Sequence, residues 1–349
     1  MYKLDASSSY RISSFLKKDE INTLRATSSG IYHKYRHCAP YSYNKYGSDE
    51  SCRNRRDVQW VVHCHTKEVL RDCIDKKLAV VAIFFDDDFD QPIEALAGCT
   101  HLRHITFGRE FDRSIEALGN CTNLQRITFG WKFNQSIKAL SNCTNIRHIT
   151  FDDAFNQPID ALYYNANLRQ ITFGEGFDQS VRALGQCVNL QCVVFGNRFN
   201  RSIEALANCA NLQQITFGDE FNRPIEALRH CSNLQRIVFG SEFNKSIEPL
   251  DNSTNLHQIT FGSRFNQPIE AFANCTSLRQ ITLGKCFNQS IEVFACCTTP
   301  EQITFGDRFN QSIDPIACCT NLRHITLSKS FGRSVEVLDS LTDLVCTRR

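Results

Sequence analysis

The sequence predicts an α/β repeat solenoid: twelve 22-residue rungs stacked on one parallel sheet, preceded by a small helical N-terminal region. The period is the first reason, since residues 80–343 repeat every 22 residues without an insertion or deletion. The second is a phenylalanine column at Phe89, Phe111, Phe133, Phe155, Phe177, Phe199, Phe221, Phe243, Phe265, Phe287, Phe309 and Phe331. The third is composition, because 42% hydrophobic and 22% charged residues are ordinary for a folded chain. A unit this short buries its apolar side only against its neighbours, so the copies must stack.

Residues 102–123 illustrate one rung. Leu102, Ile105 and Phe107 have the L-x-x-L-x-L spacing of a leucine-rich-repeat strand, pointing inward while His104 and Thr106 point out. Gly108 follows, where the chain must turn, and glycine there is expected to supply backbone angles that other residues resist. Phe111 plugs the core on the return path. An Asn or Asp comes next in nearly every copy (Asn134, Asn156, Asn200), read as a helix N-cap, and then Ser or Pro in the first turn. Ile115 and Leu118 place two apolar groups on one face of a short α or 3-10 turn, and Cys121 follows three residues later. At about 4.8 Å per strand, twelve rungs give a sheet roughly 55–60 Å long.

Several columns invite a chemical reading. Cysteine recurs at 99, 121, 143, 187, 209, 231, 275, 297 and 319, with Asn165, Ser253 and Leu341 in the gaps. Leu at one of these positions suits packing rather than ligation. Asn123, Asn145, Asn167, Asn189, Asn211, Asn233, Asn255 and Asn321 read as a ladder bonding loop backbones between rungs. On the sheet face a threonine column runs beside His104, Arg126, His148, Gln170, Cys192, Gln214, Arg236, Gln258, Gln280, Gln302 and His324. That polar, slightly basic stripe is either an amide ladder or a recognition surface for a protein target. Glu94, Glu116, Asp160, Glu204, Glu226, Glu248, Glu270, Glu292, Asp314 and Glu336 form an acidic, solvated edge.

Catalytic motifs are lacking: no phosphate-cradling glycine loop, nucleophile elbow, His-Glu-x-x-His or paired Cys-x-x-Cys occurs. Cys52, His63, Cys64, His65 and Cys73 match no standard zinc spacing. The expectation is therefore a non-enzyme with no cofactor and no metal. Net charge is +2; residues 1–57 hold 11 Lys or Arg against 6 Asp or Glu, an asymmetry too mild to imply nucleic acid. No apolar run approaches a membrane span, and no secretory signal opens the chain. An intracellular protein follows as the expectation, with its 18 cysteines as thiols.

The strings FNQPI at 155–159 and 265–269, with their relatives FNQSI, FNRPI and FNRSI after L-x-x-I-T-F-G, resemble the FNIP repeat. That leucine-rich-like family occurs in social amoebae and in the giant viruses that infect them. The preceding C-T-N-L departs from its usual proline-bearing loop and resembles the Cys-x-x-Leu of BspA-type leucine-rich repeats. Near the start, Ile12, Phe15 and Leu16 share a helix face, and Asp19 can cap a second helix bearing Ile21 and Leu24. Residues 11–36 resemble the later part of an F-box, though its opening Leu-Pro is missing. The resemblance implies docking on a Skp-type adaptor of a cullin-RING ubiquitin ligase.

The expected organisation is an F-box-like segment (1–36), a linker (37–57), a solenoid cap (58–79) with a helix from Thr66 to Lys77 over Val80–Phe85, the repeats (80–343) and a stub (344–349). The leading functional expectation is a substrate-recognition adaptor for such a ligase. The rivals are a binding scaffold without ligase coupling and, less favoured, a nucleic-acid-binding solenoid.

Overall fold

The computed structural model describes residues 41–43, 59–75, 79–341 and 343–348. Fifteen parallel strands form one sheet in strict sequence order. The first three are β1 (Tyr41–Tyr43), β2 (Gln59–Cys64) and β3 (Ala79–Phe85). Then β4 to β14 open at His104, Arg126, His148, Gln170, Cys192, Gln214, Arg236, Gln258, Gln280, Gln302 and His324, and β15 spans Val345–Arg348. Pairing within the repeats is in register, for example Ile105 with Ile127 and Thr106 with Thr128, so equivalent side chains form columns.

Each return path within the repeats is a 3-10 turn, such as Glu116–Asn120. Spacing explains the choice over α: Ile115, Leu118, Cys121 and Leu124 lie three residues apart and all are buried. The amide of each of the last three donates to the carbonyl of the one before, at 2.8–2.9 Å. Three residues per turn puts that whole series on one face. Inside, two phenylalanine columns interleave. Phe111 and Phe133 stack with centroids 6.1 Å apart, Phe107 and Phe129 at 5.5 Å, and Phe129 and Phe133 at 4.0 Å. The rung spacing thus widens from about 4.8 Å at the strands to 6.1 Å at the outer rings. The sheet therefore lies on the inner side of a curved stack.

Two local expectations are corrected. The Asn or Asp after each core phenylalanine caps no helix, because Ile115 and its equivalents hold the N-cap position without a side-chain bond. Instead Asn134 Oδ1 accepts the backbone N–H of Asn156 at 2.9 Å, and this link runs unbroken from Asp90 to Gly332. Where serine is present it does the local work, Ser114 Oγ accepting the Glu116 N–H at 3.3 Å. The glycine column is also not there for left-handed backbone. A Cβ on Gly218 would sit 2.1 Å from the carbonyl oxygen of Gly196, so close approach of successive rungs excludes it.

The buried cysteines pack as expected and add a weak bond, Cys143 Sγ donating to the Leu118 carbonyl at 3.2 Å. Burial pushes the thiols of Cys121, Cys187, Cys209, Cys275 and Cys319 up to about 12. The asparagine ladder forms as read, Asn145 Nδ2 donating to the Thr122 carbonyl at 2.9 Å.

The ends differ from expectation in detail. Residues 1–36, with Ile12, Phe15, Leu16, Ile21 and Leu24, lie outside the described residues. The segment expected as linker contains β1, paired parallel with β2. A helix, α1 (Lys67–Asp75), buries Val69, Leu70 and Cys73. It packs on β2 and on the 3-10 turn Glu94–Gly98, so β2 and α1 make a further layer of the stack rather than a lid over β3. At the far end the stub extends the sheet as β15, its side chains exposed. Cys64 is buried with its thiol donating to the Thr66 carbonyl at 3.2 Å, and His63 stacks on Phe84. Among the described residues no helix is long and apolar enough to cross a membrane.

Phe199 sits between Phe177 and Phe221 at 6.1 and 6.0 Å. Phe199→Ala should cost about 3–5 kcal/mol in urea denaturation, because neither neighbouring layer can collapse into the cavity. Asn165 is the converse case: it fills a cysteine position, fully buried, with Nδ2 on the Cys143 carbonyl at 2.8 Å. Its Oδ1 meets no donor among the described residues. Asn165→Cys should therefore raise stability by about 1 kcal/mol in the same assay.

Candidate functional site

The inner face of the sheet is where side chains project without a packing role. Its central column is the stripe singled out in the sequence. Gln170, Gln214, Arg236, Gln280, Gln302 and His324 are exposed, while His104, Arg126, His148 and Gln258 are half-buried. In-register pairing brings these residues into one continuous row, His104 beside Arg126 and Arg126 beside His148. The threonine column flanks it.

A second outward column escaped the sequence reading. Arg103, Gln125, Arg147, Arg169, Gln191, Gln213, Gln235, His257, Arg279, Glu301 and Arg323 each precede a strand. Their backbones already bond between rungs, Gln125 N–H to the Arg103 carbonyl and Arg147 N–H to the Gln125 carbonyl, both at 2.8 Å. The Arg126 amide shares the Arg103 carbonyl at 3.0 Å, a bulge-like irregularity just before the strand, and Arg103, Arg147 and Arg169 stand exposed. The signal was present, since two polar residues sit between every inward Leu and Ile, but alternation from the strand core claims only the second.

Together the two columns hold seven arginines (103, 126, 147, 169, 236, 279 and 323) and a single carboxylate, Glu301. That carboxylate is engaged, since Arg279 Nη1 donates to Glu301 Oε1 at 3.2 Å. Other basic groups pair on the loops beyond the core phenylalanines, Arg113 with Asp90 and Arg201 with Asp178, both at 2.8 Å. The local field is legible at His148, whose imidazole is pushed down to about 4 by burial first, then by Arg126, Arg169, Arg147 and His104. It is neutral at physiological pH. The face offers guanidinium and amide donors on a rigid frame, suited to carboxylates and peptide groups.

The model of the BspA type leucine rich repeat region matches in six copies, over residues 92–180, 180–268 and 268–334. Among solved structures, the internalin InlF of Listeria monocytogenes superposes with a TM-score of 0.64 at 16% identity, over 81% of this chain and 88% of that one. The Toll–Spatzle complex of Drosophila gives 0.61 at 13%, over 83% and 43%. CroV588, a circular leucine-rich-repeat protein, gives 0.50 at 25%, over 83% of this chain and 49% of that one. The first two likenesses establish the fold alone. No curated protein sequence matches significantly.

The depressed His148 gives a pH signature. An unfolded chain takes up this proton near the ordinary histidine value of about 6.5, while the folded chain resists it until about 4. The unfolded state binds more protons between those values, so stability falls as the solution is acidified through that window. His148→Gln should change the denaturation midpoint little at pH 7.5 and flatten its decline between pH 6.5 and 4.

Proposed function

This chain belongs to the BspA-type leucine-rich-repeat family, and from that premise we propose that it is a non-enzymatic protein-interaction solenoid whose target docks on the sheet face. One observation carries the reading: two adjacent columns of Arg, His and Gln project from one continuous parallel sheet. The aromatic core does not use them. Leucine-rich-repeat folds serve widely as protein-binding scaffolds, and the similar Toll structure is itself a complex with a second component, Spatzle.

The finer form of the proposal couples this face to ubiquitin transfer. Ile12, Phe15, Leu16, Ile21 and Leu24 would dock a Skp-type adaptor, and the repeats would present the target to the ligase. Its support is the F-box-like spacing of residues 11–36 followed by a solenoid, and the FNQPI strings point to the FNIP repeats of amoebae and their viruses. A reducing cell interior suits this role. The alternative is a scaffold with no ligase coupling.

Affinity purification of the whole chain and of residues 58–349 from amoebal lysate separates the two. The adaptor form expects a Skp-type protein with the whole chain only, and both forms expect the target with each. Recovery of no Skp-type protein ends the ligase coupling. Retention of the target by a variant carrying Gln170→Glu, Gln214→Glu and Arg236→Glu ends the sheet-face assignment.

A further inference from the structure

Charge on this molecule is segregated. Residues 58–349 contain 28 Lys and Arg against 31 Asp and Glu, yet the two sheet-face columns hold seven Arg and one Glu. Every other surface of that region taken together is therefore net negative. The positive charge is also concentrated along the stack. Arg103, Arg126, Arg147 and Arg169 fall on four successive rungs with no carboxylate in either column, and beyond them the face turns mainly to glutamine. Three of them act within one small area, since Arg126, Arg147 and Arg169 each help to hold the proton off His148.

Among the described residues, three of the five large exposed apolar side chains lie on the rungs of Arg147 and Arg169. Tyr163 and Tyr164 are 50% and 64% exposed and meet edge-on at 5.3 Å, and Val188 on the next loop is 48% exposed. Tyr164 lies at the end of the 3-10 turn whose loop leads directly to Arg169. The aromatic pair thus lies five residues along the chain from Arg169.

Resting on the sheet-face reading above, we propose that Arg103, Arg126, Arg147 and Arg169 bind an acidic segment of the partner protein that also carries an apolar residue for Tyr164 and Val188. Four rungs span about 14 Å, the length of four to five residues of extended peptide. Guanidinium groups pair with carboxylates two bonds at a time, and the neighbouring amides match a peptide backbone. A nucleic acid fits less well, because its phosphates continue past the patch onto neutral and acidic surface.

Fluorescence anisotropy with the full-length protein tests this. The probe is a labelled ten-residue peptide alternating Glu and Ser around one central Leu; its Gln-for-Glu analogue and a 20-nucleotide single-stranded DNA serve as comparisons. The Glu peptide should bind at least about tenfold tighter than the analogue. Arg147→Gln with Arg169→Gln should weaken it about tenfold, whereas the distal Arg279→Gln with Arg323→Gln should stay within about threefold. Arg169→Gln alone supplies the reading if the double variant fails to fold. Equal binding of both peptides, equal loss in the distal variant, tighter binding of DNA, or no peptide binding each overturns the proposal. If the acidic peptide fails while sheet-face substitutions still release the protein target, only this inference falls. If those substitutions also leave the target bound, the sheet-face reading falls with it.

Discussion

Every rung must match its neighbour atom for atom, because groups left orphaned within one rung find partners only 22 or 23 residues away. Asn134 Oδ1 serves the Asn156 amide, and Asn145 Nδ2 serves the Thr122 carbonyl. An extra residue would break such links on both sides, at about 0.5–1.5 kcal/mol for each bond lost. The glycine column expresses the same constraint sterically, with carbonyl oxygens where its Cβ atoms would be. Strict periodicity is therefore a condition of the bonding, and the stacked rings ride on it.

Much of this could be read in advance because columns are visible in one dimension. The phenylalanine, cysteine and Asn123-type columns were each assigned to packing or to a ladder, and their burial and bonds agree. The misreadings were local explanations for non-local facts. Asn134 looked like a helix cap because capping is what asparagine does within five residues, yet its partner is one rung on. Gly108 looked like a turn residue, yet its neighbour is the Asp86 carbonyl.

The face told the same story. His104 and its equivalents follow from alternation, whereas the Arg103 column precedes the strands and does not. Only the irregular bonding before each strand, where the successive Gln125 and Arg126 amides share the Arg103 carbonyl, lets both columns face outward. The end layers are harder still, since β2 and α1 lack the repeat sequence and join the stack through strand pairing and apolar burial without its motifs.

The ladders share a direction. The Asn145 amide, the Cys143 thiol and the Asn156 backbone N–H all reach back to the preceding rung. The backbone ladder runs the other way as well, the Phe107 amide donating forward to the Thr128 carbonyl at 2.9 Å, so each rung is tied to both of its neighbours. A break in any one rung therefore unties groups on both sides of it.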